Sequence, residues 1–256
     1  MMRMIVLLLC TALITPSAVA ADVIRYVGSS TIANFITDAA SVYEKASFEV
    51  STQSESAGGE RCIVESTCDI GGVAREVDPK WLARGMVPIL IGKDAIAAIV
   101  NIQNPVSAIS TTELTNIFTG QLKDWAALGG ADISIKTFVV GEHSATRGVF
   151  RDIVMSGKDY AGVTTVEPDI DMLTVVGEQS GAIGHISLSF LKFETRVRPL
   201  RVDGEVARVQ NPNYSISRPL YLVTSSRAEK QVKDFLDWVL SAAGQEVVRN
   251  RFVSVH

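Results

Sequence analysis

Histidine and cysteine are scarce in this 256-residue chain, three of each, and the scarcity narrows the chemistry open to it. The histidines, His143, His185 and His256, form no H-x-x-x-H pair, and neither a G-x-S-x-G nor a Walker A pattern occurs. Zinc-protease, nucleophile-elbow and P-loop chemistries therefore lack their residues. His143 adjoins Ser144, but neighbours in one loop rarely form a nucleophile–base pair, and no acidic third member is identifiable. No cluster of Lys and Arg interleaved with aromatics suggests a nucleic-acid surface. We expect no enzyme, no metal and no cofactor. No repeat of fixed period is visible, and no apolar run after residue 14 approaches the roughly 20 residues of a permanent membrane span.

What is present begins with an export signal. Met1-Met2-Arg3 is a short positive start, Ile5 to Ile14 is almost wholly apolar, and Ala18-Val19-Ala20 supplies a small-x-small cleavage pattern. Residues 1–20 thus read as a signal peptide, cleaved before Ala21. A lipid anchor through Cys10 is disfavoured, because Leu8-Leu9 precedes it where a small residue is required. The mature chain carries a formal charge of about −5 once Arg3 is removed from the whole-chain value of −4. A mild negative total does not forbid an anion site, since backbone N–H groups converge wherever a helix begins. The expected compartment is the periplasm. There Cys62 and Cys68, six apart and poorly spaced for zinc, should form a disulfide closing a small loop, with the chain turning between them.

The mature chain alternates strand, polar glycine turn and helix, the rhythm of a sheet covered by helices. Strands are expected at 23–27, 48–53, 69–71, 88–90, 95–100, 135–140, 182–186, 197–200 and 220–224. Helices are expected at 32–43, around 62–65, from Thr111, at 147–155, 229–240 and 242–250. Three strand-to-helix loops share one chemistry: Gly28-Ser29-Ser30-Thr31, Ser54-Glu55-Ser56-Ala57-Gly58-Gly59, and His143-Ser144-Ala145-Thr146-Arg147. Each offers hydroxyls beside unpaired first-turn N–H groups, which can chelate an oxyanion without a fixed positive charge. One such loop reads first as a helix cap; three in this rhythm point to a site.

Around these loops the chain resembles the phosphate-binding protein family, the PstS-like periplasmic receptors of ABC transporters. The similar stretches are GSSTIANF (28–35), SAGGE (56–60), CDIGGVAR (68–75), TTELTNIFTGQLKDWAALGG (111–130), HSATRGVF (143–150), SGAIGHISLSFL (180–191), NYSISRPLYLVT (213–224) and FLDWVLSAAGQEVV (235–248). The resemblance implies a two-lobed α/β periplasmic-binding-protein fold (type II), each lobe a mixed sheet flanked by helices, joined by a hinge of crossing strands. Lobe 1 would comprise 21–99 plus 217–256, and lobe 2 would comprise 100–216. The implied function is capture of inorganic phosphate in the interlobe cleft and delivery to an ABC permease, by a monomer. The alternative is another oxyanion (sulfate, molybdate or tungstate) or a ligand-presenting sensor of the same fold.

Carried over residue by residue, the resemblance implies ligand contacts from Ser29, Ser30, Thr31, Ser56, Asp69, Ser144, Ala145 and Thr146. An arginine that many members carry four residues before the second-lobe serine is replaced here by Val140. Arg147 is the first candidate to supply the missing cation, followed by Arg75 and His143. Asp69 carries a chemical argument of its own. A carboxylate accepts an O–H from a protonated phosphate but repels sulfate, which has none to give at neutral pH.

Overall fold

The computed structural model describes residues 22–192 and 194–255; the expected signal sequence over 1–20 and its Cys10 lie outside them. Twelve strands and eight α-helices are found in that span. Strand β1 (Asp22–Gly28) runs into helix α1 (Ser30–Ala40), then β2 (Ala46–Ser51), α2 (Glu55–Val64) and β3 (Ile70–Val73) follow. β1 pairs in parallel with both β2 and β3, so α1 and α2 are crossover helices laid on the sheet. After a one-turn helix α3 (Pro79–Leu82) comes the longest strand, β4 (Met86–Asn101).

β4 was expected as two strands, 88–90 and 95–100. It is a single element of 16 residues. Pro88 is tolerated because it sits opposite Val223 with no second partner strand among the described residues, an edge position where a missing N–H costs little. β4 belongs to both halves of the molecule. Its first part pairs antiparallel with β11 (Ser217–Ser225) and β12 (Val253–Ser254), and its second part with β8 (Ala182–Ser187) and β9 (Val197–Pro199). Beyond β8 lie β6 (Lys136–Val140) and β7 (Thr164–Val166), both parallel, completing the order β2-β1-β3-β11-β4-β8-β6-β7. A separate two-stranded ladder joins β5 (Ala108–Ile109) to β10 (Arg201–Val202).

Each half is a mixed sheet clothed by helices with its own core, giving the two lobes expected of a type II binding-protein fold. One core gathers Ala95 through Ile216, including Phe118, Trp125, Phe150 and Ile183. It takes in helices α4 (Thr111–Phe118), α5 (Ala145–Val154) and α6 (Asp171–Gly177). The other combines Ile24, Phe35 and Ile70 with Leu220, Phe235 and Phe252 from the far end of the chain, where α7 (Lys230–Leu240) and α8 (Ala242–Arg249) pack. The apolar stripes of α7 and α5 account for this packing: Val232, Phe235, Leu236 and Val239 share one face of α7, and Phe150 and Val154 one face of α5. At α4 the hydroxyl cap expected near Thr111 is Ser110, which forms a full capping box with Glu113.

Cys62 and Cys68 are joined as a disulfide, Cα–Cα 5.4 Å. Between them α2 ends and the chain turns through Ser66 (φ +57), the unwinding that an i, i+6 bridge requires. No helix among the described residues is long and apolar enough to cross a membrane.

Candidate functional site

The loops after β1 and β6 meet across the line where the lobes join, and the crossing strand β11 forms their floor. β1 delivers its loop through Gly28, whose backbone (φ +142) passes so close to Gly72 that an added Cβ would lie 2.4 Å from the Gly72 carbonyl oxygen. Only glycine permits this approach, and it aims Ser29, Ser30 and Thr31 at the cleft from the start of α1. On the other lobe Ser144 caps α5 by accepting from the Thr146 N–H, which turns Ala145 and Thr146 inward.

Between them lies Arg218, 2 % exposed, on β11. Its Nε and Nη2 donate to Asp94 Oδ2 at 3.0 and 2.9 Å. Asp94 is the cross-strand partner of Arg218 in the β11–β4 ladder. The guanidinium also reaches both lobes, with Nη2 to Thr31 Oγ1 at 3.0 Å and Nη1 to Thr146 Oγ1 at 3.0 Å. Thr31 and Thr146 each accept one of these bonds and keep a hydroxyl proton to give. Ser30 Oγ is buried without any partner, an open donor of the kind a ligand completes. Ser187 Oγ holds the second Asp94 oxygen at 2.9 Å. Burial pushes the Asp94 carboxyl up, and the Arg218 charge and the hydrogen bonds from Ser187 and Arg218 pull it only part of the way back.

Two further carboxyls face this cluster, one from each lobe. Glu55 begins α2 with φ +46, left-handed for a residue with a side chain, and accepts the Ser30 N–H at 3.0 Å. Asp169 accepts from Ser144 Oγ at 2.7 Å. Burial, then the charge of Asp169, pushes Glu55 up to about 7. Burial also raises Asp169 to about 6, against the hydrogen bond from Ser144.

The expected site residues divide accordingly. Ser29, Ser30, Thr31, Ser144, Ala145 and Thr146 come together around Arg218. Ser56 is fully buried behind them and accepts the Ala74 N–H at 3.1 Å, tying α2 to the end of β3. Arg75 and His143 lie at the cleft mouth, where they help line a cavity of about 480 Å³ that reaches Ser144 and Arg218. Arg75 is held there by Glu60 in a two-pronged contact at 2.8 and 2.6 Å. Arg147 points elsewhere: its Nη1 donates to the Val140 carbonyl at 3.0 Å and its guanidinium lies over the Tyr160 ring at 5.1 Å.

Asp69 is not brought to the cleft. It precedes β3, whereas the cleft loops follow the carboxyl ends of the strands, and four residues of strand span about 13 Å. There Arg25 binds it through its backbone N–H, Nε and Nη2 at 2.8, 3.1 and 2.9 Å. That guanidinium holds the Asp69 carboxyl below the usual range. A larger cavity, about 580 Å³, lies at that end, lined by Arg25, Asp69, Arg84 and Arg227. None of the converging hydroxyl-bearing residues lines it. Among the described residues no group of three or more His, Cys, Asp or Glu side chains is placed to hold a metal ion.

Arg218, Asp94, Glu55 and Asp169 were not singled out from the sequence. Arg218 stands inside the stretch NYSISRPLYLVT, where an arginine in an alternating strand reads as solvent-facing. The available signal was Asp94, a charge embedded in the apolar run 89–100, which demands a buried cation somewhere in the chain.

Comparison with known proteins bears on this geometry. A model of the PBP superfamily domain matches residues 15–243. The phosphate-binding protein PstS of Bacillus subtilis is 31 % identical over 162 residues, 62 % of this chain and 54 % of the relative. PstS 2 of Streptococcus agalactiae is 36 % identical over 121 residues, 42 % of this chain and 41 % of the relative. The chain thus spans about half the length of these curated relatives. A solved structure from Clostridium perfringens with bound phosphate superposes with TM-score 0.86 at 26 % identity, covering 92 % of this chain and all of that one.

Proposed function

The chain belongs to the PBP superfamily, and from that premise we propose that it is an exported solute-binding protein that closes on a tetrahedral oxyanion, inorganic phosphate first. In this reading it works in the periplasm as a monomer, binds no nucleic acid, catalyses nothing and presents its ligand to an ABC permease. The observation that carries the reading is Arg218, a buried guanidinium bonded to a hydroxyl of each lobe at 3.0 Å. It supplies the cation that Val140 cannot, from a different strand. Around it the hydroxyls of Ser30, Thr31 and Thr146 and the starts of α1 and α5 form a preorganised shell of donors for the ligand oxygens. Because the donors come from both lobes, the ligand favours the closed arrangement over the open one by whatever it gains from the second set. The names and bound ligand of the relatives support the choice of phosphate.

The test is calorimetric titration of the chain, stripped of ligand by unfolding and refolding, with phosphate and then sulfate. Phosphate binding at micromolar concentration or below is the expected result, roughly −8 kcal/mol or better. A folded protein that binds neither anion would overturn the reading.

A further inference from the structure

Helix α5 carries a glycine that its own geometry does not call for. Gly148 lies inside that helix, its φ is not positive, and a Cβ built on it would meet nothing within 4 Å. Neither a left-handed turn nor a close neighbour requires glycine there, although glycine weakens a helix relative to alanine. The space left open is the cavity of about 480 Å³ at the cleft mouth, of which Gly148 is one wall. Ser144 and Arg218 line the same cavity, so it opens onto the converging donors. It stays open although Arg218 already joins a hydroxyl of each lobe at 3.0 Å. Its volume falls within the roughly 300–1,000 Å³ of small-molecule sites, and a bare phosphate seated among the hydroxyls would not extend into it. Ala57, Ala145, Val149, Ile153 and Pro219 give it apolar walls drawn from both lobes. Its exposed rim is negative. Glu60 takes up the Arg75 charge in two bonds at 2.8 and 2.6 Å, and Asp152 faces its neighbour Arg151 at 3.3 Å. Glu76 and Glu142 remain, both exposed, and the basic residue left opposite them is His143.

Resting on the oxyanion reading above, we propose that the cleft also takes substituted phosphates, namely monoesters and phosphonates with a short organic chain. The phosphoryl group lies among the hydroxyls and the chain lies in the cavity beside Gly148. The unsubstituted oxygens of such a ligand still accept from the donors of both lobes. The remaining substituent on phosphorus, an ester oxygen or a carbon, leaves past Ser144 and Arg218. The apolar walls cover its methylene groups. The negative rim favours a chain that ends in an amine and disfavours one that ends in a carboxylate. Phosphoethanolamine and aminoethylphosphonate are the simplest molecules of this class. Inorganic phosphate is then the smallest ligand of the site and does not fill it. Gly148 is the position that keeps the path open, because a side chain there would stand where the organic chain must pass.

The experiment is calorimetric titration of the chain, stripped of ligand by unfolding and refolding, with inorganic phosphate, phosphoethanolamine and phosphoglycolate. Gly148→Phe and Ile153→Trp are measured alongside the wild type, with folding checked by thermal unfolding. The first fills open space beside α5, and the second narrows the same cavity from a residue 37 % exposed. Phosphoethanolamine should bind the wild type within about tenfold of phosphate, and phosphoglycolate about tenfold or more weaker than phosphoethanolamine. Each variant should weaken phosphoethanolamine by about tenfold or more and shift inorganic phosphate by no more than about twofold. Phosphate binding with no response to phosphoethanolamine at about a hundredfold higher concentration would overturn the proposal while leaving the oxyanion reading standing. So would folded variants that weaken both ligands alike, or neither. Phosphoglycolate binding as tightly as phosphoethanolamine would overturn the part assigned to the rim. A folded wild type that binds none of the three would remove both readings together.

Discussion

Two arginine–aspartate pairs sit at opposite ends of the same half-sheet, both with N–O distances of 2.9 Å, and they could hardly differ more in consequence. Arg25–Asp69 bridges the amino ends of β1 and β3 with side chains 50 % and 22 % exposed, and water shares its work. Arg218–Asp94 bridges β11 and β4 with side chains 1 % and 0 % exposed. Its spare N–H groups meet hydroxyls of both lobes. Distance alone does not distinguish a surface brace from a buried pair that reaches both lobes. Desolvation does, because a charge removed from water has strong interactions to offer and large penalties to avoid.

The contrast can be broken most forcefully at Arg218. Arg218→Met strands the buried Asp94 carboxylate and should destabilise the fold by about 3–5 kcal/mol in urea unfolding. Arg218→Lys keeps the charge but loses the fork, and should remain folded while weakening phosphate binding by about 2 kcal/mol or more in calorimetry. Wild-type affinity in the lysine variant would demote Arg218 to a structural role. One step down, Thr146→Val removes a hydroxyl from the second lobe and should cost about 1–2 kcal/mol of binding, with less effect on unfolding because Arg218 keeps Asp94.

A smaller, graded effect concerns pH. Glu55 and Asp169 are raised to about 7 and about 6 in the folded state, above their unfolded values near 4. Their contribution to ligand-free stability is therefore fully present below about pH 4 and is lost as pH rises through 6 to 7. The melting temperature of the stripped protein should decline between about pH 5 and 8, and Glu55→Gln with Asp169→Asn should flatten that decline. Smallest of all should be Asp69→Asn, which leaves Arg25 in water. Neither phosphate affinity nor the preference over sulfate should move, and a relaxed preference would return Asp69 to the site by some route other than contact.

How much of this was legible beforehand follows from the range of the interactions concerned. The strand–turn–helix rhythm is local, so β1-α1, β6-α5 and the loops carrying Ser29–Thr31 and Ser144–Thr146 could be read from hydroxyls, glycines and apolar spacing. The disulfide was legible because both cysteines lie within one short segment. Asp69 misled because its value depends on which end of β3 it occupies, and a start one residue later, at Ile70, puts it on the far side of the sheet. Arg147 misled because adjacency to Ser144 says nothing of direction, and one helical turn points its guanidinium to Tyr160. Arg218 and Asp94 are 124 residues apart. Only the β11–β4 register brings them together, and no local pattern carries that register.

The place of β11 between β3 and β4 also sets a timetable for a chain made from its amino end. The strands that flank β4 in the second lobe are all delivered by residue 199, so that lobe can close its core early. The first lobe must wait for residues 217–225 to fill a slot that its own first eighty residues leave open, and for α7 and α8 to cover it. During that interval β3 and β4 present unpaired edges, the surface most prone to joining another chain. The oldest part of the newborn chain is thus the last to become safe, and its protection must come from whatever accompanies it until the final forty residues arrive.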